Sequence, residues 1–139
     1  MFSATSVTWT SPPPVWTPTS PNDIRTVVMP VLNGSTQVAL RWSYTLSAGS
    51  VLFTIFSLRL NDSSFDDIGT KSLGVFNNKD YQTRFDISGS EVATLIINKV
   101  SEREETVYQC KATTNSGSSS YRIQVIVTGE HCNVYCTNL

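Results

Sequence analysis

The clearest signal along the chain is an alternation of apolar and polar residues in residues 36–44, TQVALRWSY. Every second residue from Val38 to Tyr44 is apolar, whereas Arg41 and Ser43 lie between them. Successive side chains of a β-strand point to opposite faces, so this period of two predicts a strand with one face turned toward a core.

Similar apolar segments recur along the rest of the chain and are separated by turn residues rich in Gly, Asn, Asp and Ser. They predict strands at residues 24–31, 36–44, 51–60, 68–75, 84–88, 92–98, 106–114 and 119–127. No segment has the period of an α-helix, and the strands recur at intervals of about 8–12 residues, which is typical of a β-sandwich. We therefore expect an all-β fold of the sandwich kind.

The predicted strand at residues 51–60, VLFTIFSLRL, departs from this alternation because both of its alternating sets are apolar. One set contains Val51, Phe53 and Ile55, and the other contains Leu52, Phe56, Leu58 and Leu60. A strand covered on only one face should alternate with polar residues. One of the two sets must then be exposed or covered by something outside the sandwich.

The two ends of the chain differ from this pattern. Residues 1–21 are rich in Ser, Thr and Pro and include the run PPP, which forces an extended path, so we expect a stalk or linker there. Residues 22–128 carry the alternating strands and are interpreted as the domain. Residues 129–139 follow the last strand and form either a tail or the beginning of a Cys-rich module.

Charge and hydropathy exclude two classes of partner. The chain has 10 Lys and Arg against 11 Asp and Glu, without a cluster of either sign, whereas nucleic-acid binding needs a basic surface. No apolar run approaches the length of about 18 residues that a membrane span requires. The first residues lack the features of a signal peptide, so we expect a signal peptide and a membrane anchor to belong to other parts of a longer protein. Two glycosylation sequons begin at Asn33 and Asn61.

The three cysteines and the single histidine give no sign of catalysis. Cys132 and Cys136 follow the last strand, where they either form a local disulfide or begin a Cys-rich module. His131 adds one ligand to that pair, which is too few for a zinc site. An adjacent Cys and His in an extended tail point apart, and the chain has no Gly-rich phosphate loop, so we expect neither an enzyme nor a bound cofactor or metal.

Residues 93–117, ATLIINKVSEREETVYQCKATTNSG, resemble the E strand, the E–F corner and the F strand of the immunoglobulin superfamily. In that family a Tyr stands two residues before the F-strand Cys and bonds to the corner backbone; Tyr108 and Cys110 match this spacing. The resemblance implies an ion pair between Glu104 of the corner and Arg84 before the D strand. Over residues 22–128 the chain is most similar to V-set and I-set domains of invertebrate-type cell-surface receptors, and this resemblance implies an immunoglobulin-like β-sandwich of two packed antiparallel sheets.

Two residues depart from the family pattern. Trp42 stands where the family has the B-strand Cys, and the usual Trp of strand C is absent from its expected place near Ile55. The resemblance then implies that Cys110 is a free, buried thiol and that Trp42 fills the core instead of a disulfide, with the smaller Ile55 opposite it. Cys110 in mid-strand should also lie too far from Cys132 for a disulfide.

With Ile55 turned inward, Phe56 and Leu58 are expected on the outer face of the G-F-C-C′ sheet, where V-like domains meet each other. Polar residues from strands F and G should surround them: Gln109, Lys111, Arg122 and Gln124. The expected function is extracellular recognition or adhesion at the cell surface, with another immunoglobulin-like domain or a second copy of the chain as partner. Two alternatives stay open: a spacer domain without a ligand, and a cover formed by loops or by the Pro-rich segment with Trp9 or Trp16.

Overall fold

The alternating segments form β-strands in the computed structural model, which describes residues 7–11, 26–61, 64–89 and 93–129. The strands are β1 Val7–Ser11, β2 Thr26–Leu32, β3 Thr36–Leu46, β4 Phe53–Asn61, β5 Ser64–Lys71, β6 Val75–Asn77, β7 Phe85–Ile87, β8 Ala93–Lys99, β9 Val107–Thr114 and β10 Gly117–Thr128. Single turns of 3₁₀-helix cover Lys79–Tyr81 and Glu102–Glu104.

The strands form two sheets around a common core. The four-stranded sheet has the order β1-β3-β8-β7, and the six-stranded sheet has the order β2-β10-β9-β4-β5-β6. The prediction of an all-β fold with two sheets is confirmed. The six-stranded sheet is mixed rather than antiparallel, because β2 pairs with β10 in parallel.

Strand β1 corrects the prediction of a stalk for part of the N-terminal segment, because Val7–Ser11 pairs with β3. The indole N–H of Trp9 donates a hydrogen bond of 2.9 Å to Ser119 Oγ, and the Trp9 ring stacks on Tyr121 at 5.6 Å. Both partners belong to β10 of the other sheet. Trp9 therefore joins the two sheets at the edge of the core. Trp16 lies outside the described residues.

Trp42 occupies the centre of the sandwich, as the sequence predicts. Its side chain is 1% exposed, its indole N–H donates to the backbone oxygen of Tyr121 in the opposite sheet, and its ring lies 5.8 Å from Phe56. Cys110 is directly opposite Phe56 on the neighbouring strand and is a free, fully buried thiol. Burial raises the pKa of this thiol, so it stays neutral and behaves as a small apolar side chain.

The register of β4 is opposite to the prediction. Phe56 and Leu58 are 0% and 5% exposed and belong to the core, whereas Phe53 and Ile55 are half-buried on the other face. The binding role expected for Phe56 and Leu58 is therefore wrong, and so is the placement of Ile55 opposite Trp42. Because both alternating sets of this strand are apolar, the sequence does not show which set faces the core. A shift of one residue in the register exchanges the two sets between the faces.

The corner between β8 and β9 confirms the expected contacts. Arg84 donates from Nε and Nη2 to Glu104 Oε2 at 3.1 and 2.9 Å, and Ser101 donates from its backbone N and its hydroxyl to Glu104 Oε1. The Tyr108 hydroxyl donates to the backbone oxygen of Glu104 at 2.8 Å. Burial alone would raise the pKa of the Glu104 carboxyl, but the hydrogen bonds from Ser101 and Arg84 outweigh it and lower this pKa.

Candidate functional site

The outer face of the six-stranded sheet is the side turned away from the four-stranded sheet. In β9, Gln109 and Lys111 alternate with buried residues, and in β10 Arg122 and Gln124 do the same. All four polar residues that the sequence predicts for this face are half-buried on it. The structure thus brings them together on neighbouring strands.

An apolar strip crosses the same face. Ile55 of β4 is paired with Lys111 on one side and with Thr70 of β5 on the other, and Thr70 is paired with Phe76 of β6. Residues paired across a sheet share a face, so Ile55 and Phe76 both lie on the outer side. Phe53 joins them two residues before Ile55. We call Phe53, Ile55 and Phe76 the apolar strip.

Exposure differs within the apolar strip. Phe53 and Ile55 are half-buried, but Phe76 on the edge strand is 74% exposed. Leu73, in the turn between β5 and β6, is fully exposed. Apolar side chains exposed together are unusual on a monomeric surface and mark sites of interaction.

A small cavity of about 120 Å³ lies beside the strip at the beginning of β4. It is lined by Tyr44, Val51, Leu52, Phe53, Thr54, Lys71 and Ser72. An apolar cavity of about 150 Å³ is large enough to hold benzene, so this depression has room for one small side chain of a partner.

The other end of the outer face is positively charged. The guanidinium groups of Arg59 and Arg122 lie 5.4 and 4.7 Å from the centre of the Phe65 ring, and Arg122 Nε donates to Gln109 Oε1 at 2.9 Å. We call Arg59, Phe65 and Arg122 the arginine cluster. The outer face is therefore apolar toward β6 and cationic toward the end of β4.

Sequence reasoning missed Arg59, Phe65 and Phe76. Phe65 lies in a stretch of Asn, Asp and Ser whose composition predicts a loop, but β5 already begins at Ser64. Phe76 lies in a three-residue strand, too short for an alternation to be recognised. The weak signal was a single aromatic residue, which stands between Ser64 and Asp66 in the case of Phe65 and directly after Val75 in the case of Phe76.

The remaining candidate residues lie away from this face or outside the described part. Asn33 is half-buried in the turn between β2 and β3, and Asn61 is exposed at the end of β4. Cys132 and Cys136 lie outside the described residues. Within residues 7–11, 26–61, 64–89 and 93–129, no group of His, Cys, Asp and Glu side chains could hold a metal ion. No helix in these ranges is long and apolar enough to cross a membrane.

Comparisons with known proteins give a fold and no family. No family model and no curated protein matches the chain. Among solved structures, one similar chain comes from work described as "Structural basis of T cell specificity and activation by the bacterial superantigen toxic shock syndrome toxin-1". The TM-score is 0.57 at 15% identity, over 90% of this chain and 100% of the other. At that identity the likeness concerns the fold alone.

Proposed function

We propose that this chain is an extracellular recognition or adhesion module of immunoglobulin-like fold, and that it binds another protein through the outer face of its six-stranded sheet. The partner is a second copy of the chain or another immunoglobulin-like domain. The observation that carries the proposal is the apolar strip, Phe53 and Ile55 on β4 and Phe76 on β6, which lies beside polar residues of the outer face.

The order of the strands supports an immunoglobulin-like sandwich of the V-set or I-set kind. Variable-type domains combine a sheet of strands A, B, E and D with a sheet of strands G, F, C, C′ and C″. The orders β1-β3-β8-β7 and β10-β9-β4-β5-β6 agree with these two sheets. The hydrogen bond from Tyr108 to the corner backbone is a further feature of that fold.

The composition of the face supports protein binding. The apolar strip lies beside Gln109, Lys111 and Arg122, so an apolar patch is bordered by polar side chains that keep the free surface hydrated. This is the usual organisation of a protein–protein interface. The extracellular location rests on the resemblance to cell-surface receptors and on the two sequons, at Asn33 and Asn61.

A second copy of the chain is the simplest partner to test. The net charge is −1, so two copies do not repel each other strongly at long range. The same patch on both copies forms a closed dimer with a two-fold axis. The molar mass of the chain, measured by sedimentation over a series from micromolar to millimolar concentration, should then rise toward that of a dimer.

The substitution Ile55→Asn tests whether the strip carries this association. It should keep the protein monomeric throughout the series without unfolding it, because Ile55 is half-buried on the outer face. Ile96→Asn is the matched control, since Ile96 is also half-buried in mid-strand but on β8 of the other sheet; it should associate like the wild type. A wild-type mass that stays monomeric at every concentration would favour the spacer domain.

A further inference from the structure

We propose that Asp67 of one copy binds the arginine cluster of a second copy, Arg59, Phe65 and Arg122, across a two-fold axis parallel to β4 and β9. This inference rests on the proposed function, because it requires two outer faces to pack against each other. It adds the ionic contact that sets the register of the two copies and selects this chain over other sandwich domains.

The first argument is that no ion pair among the described residues neutralises the two arginines of the cluster. Within the described residues, neither Arg59 nor Arg122 forms an ion pair, and the Nε of Arg122 donates to the neutral Gln109. The two guanidinium groups therefore have no carboxylate partner among the described residues, and a second copy could supply one at the outer face.

The arrangement of the two guanidinium groups is the second argument. Both lie within 5.4 Å of the centre of one ring, so cation–π attraction to Phe65 holds two like charges on the same small surface. Burial and then the charge of Arg59 lower the pKa of Arg122, although an arginine still remains charged at neutral pH. A carboxylate would offset this repulsion, and its two oxygens fit the fork of donors on a guanidinium.

The position of Asp67 is the third argument. Asp67 is exposed on β5 and forms no ion pair within the described residues; its backbone oxygen, not its carboxylate, accepts the hydrogen bond from Asn78. It is therefore an acidic side chain on the outer face whose charge is available to a partner.

The strand register places Asp67 and Arg122 in the same row of paired residues, so a two-fold axis can bring each of them opposite the other in a second copy. Ser57 of β4 is paired with Asp67 on one side and with Gln109 of β9 on the other, and Gln109 is paired with Arg122. These four residues form one row across β5, β4, β9 and β10. A two-fold axis that runs between β4 and β9 superposes β5 of one copy on β10 of the other. In that dimer each Asp67 faces the partner copy's Arg122, and the contact occurs twice.

The test is an exchange of charges measured by sedimentation. Asp67→Arg should weaken self-association about tenfold or more, because it places like charges opposite each other twice. Arg122→Asp should do the same. Asp86→Arg, an equal change of charge at an exposed residue of β7, is the control and should leave the association unchanged.

An equimolar mixture of Asp67→Arg and Arg122→Asp should form a heterodimer as tightly as the wild-type homodimer. In one of its two contacts the introduced arginine faces the introduced aspartate. In the other contact, the unchanged Asp67 of one copy faces the unchanged Arg122 of the other. Both contacts then join opposite charges, as they do in the wild type.

Thermal melting of each variant shows whether a loss of association comes from a folding defect. The mixture is a second control, because unfolded chains could not restore binding.

The proposal is wrong if the mixture associates no better than either variant alone, or if Asp86→Arg weakens association equally. Its failure differs from failure of the proposed function. If Ile55→Asn abolishes association and the charge exchange has no effect, the face binds but the ionic contact is wrong; if the wild type never associates, both are wrong.

Discussion

At the scale of single residues, Glu104 organises the corner between β8 and β9. Its carboxylate accepts hydrogen bonds from Ser101 and Arg84, and its backbone oxygen accepts one from Tyr108. The Glu104 side chain is buried, and a buried charge is tolerated only when it is paired and hydrogen-bonded. These contacts fix where β9 begins, and β9 carries Cys110 into the core and Gln109 and Lys111 onto the outer face.

The hydroxyl of Tyr108 should contribute measurably to stability. Tyr108→Phe removes the donor to the buried backbone oxygen of Glu104 while keeping the ring, and an unsatisfied buried acceptor costs about 1–3 kcal/mol. Denaturant unfolding of the two proteins measures this difference in the free energy of unfolding. A difference of a few tenths of a kcal/mol or less would mean that the hydrogen bond does not hold the corner.

The same corner should make stability depend on pH. The folded-state pKa of Glu104 lies below the ordinary value of 4.5, so its contribution is present above about that pH and is lost as the pH falls through the folded pKa. The wild type should therefore lose more free energy of unfolding than Glu104→Gln does when the pH is lowered from about 5 to 3. Parallel curves for the two proteins in that range would contradict the lowered pKa.

At the scale of elements, β4 separates what the sequence could predict from what it could not. Its position as a central strand was predictable, since ten consecutive residues contain no strong breaker and seven of them are large and apolar. Its register was not predictable, because it depends on the pairing of β4 with β9 and β5. On β5, Phe56 is paired with Gly69 and Ser57 with Asp67, so Ile68 is an extra residue without a partner on β4. Such a bulge leaves no mark in the sequence of β4.

The two phenylalanines of β4 allow this register to be tested with identical substitutions. Phe56→Ala removes a fully buried ring and should cost about 3–5 kcal/mol, whereas Phe53→Ala, on the half-buried outer face, should cost roughly 1 kcal/mol. Chemical denaturation of both variants measures the two costs. If Phe53→Ala were the more damaging of the two, the side chains of β4 would have to point the other way.

Strand β1 illustrates a different limit of sequence reasoning. Its alternation, VTWTS, was present in the sequence but lay beside a run of prolines, and composition outweighed the pattern. Its pairing with β3 and the contacts of Trp9 with Ser119 and Tyr121, all with residues distant along the chain, assign it to the sandwich. By contrast, the corner contacts of Arg84, Glu104 and Tyr108 were predictable from the resemblance of residues 93–117 to the immunoglobulin superfamily.

At the scale of the whole molecule, the described residues hold a sandwich without a disulfide between its sheets. A disulfide closing a loop of about 70 residues would stabilise the fold by roughly 4 kcal/mol. Burial of the Trp42 indole removes about 150–250 Å² from water, worth on the order of 4–6 kcal/mol before the loss of entropy. Trp42 also joins the sheets through its hydrogen bond to Tyr121, and Phe56 supplies the second large ring of the centre.

The two sheets differ in their outward surfaces, and this difference is the basis of the functional proposal. The six-stranded sheet carries the apolar strip at one end of its outer face and the arginine cluster at the other. Gln109, Lys111, Arg122 and Gln124 were predictable for this face from the alternation of β9 and β10. Phe53, Ile55 and Phe76 were not, since the first two depend on the register of β4 and the third on a strand of three residues.

The most direct test of the binding face is a map of backbone amide chemical shifts between dilute and concentrated protein. The shifts that change with concentration should cluster on the outer face, around Ile55, Thr70 and Lys111, and they should disappear in Ile55→Asn. The amides around Ile96, on the outer side of the four-stranded sheet, should not change. Spectra that are identical at all concentrations, or changes confined to the four-stranded sheet, would contradict the assignment of the outer face as the binding surface.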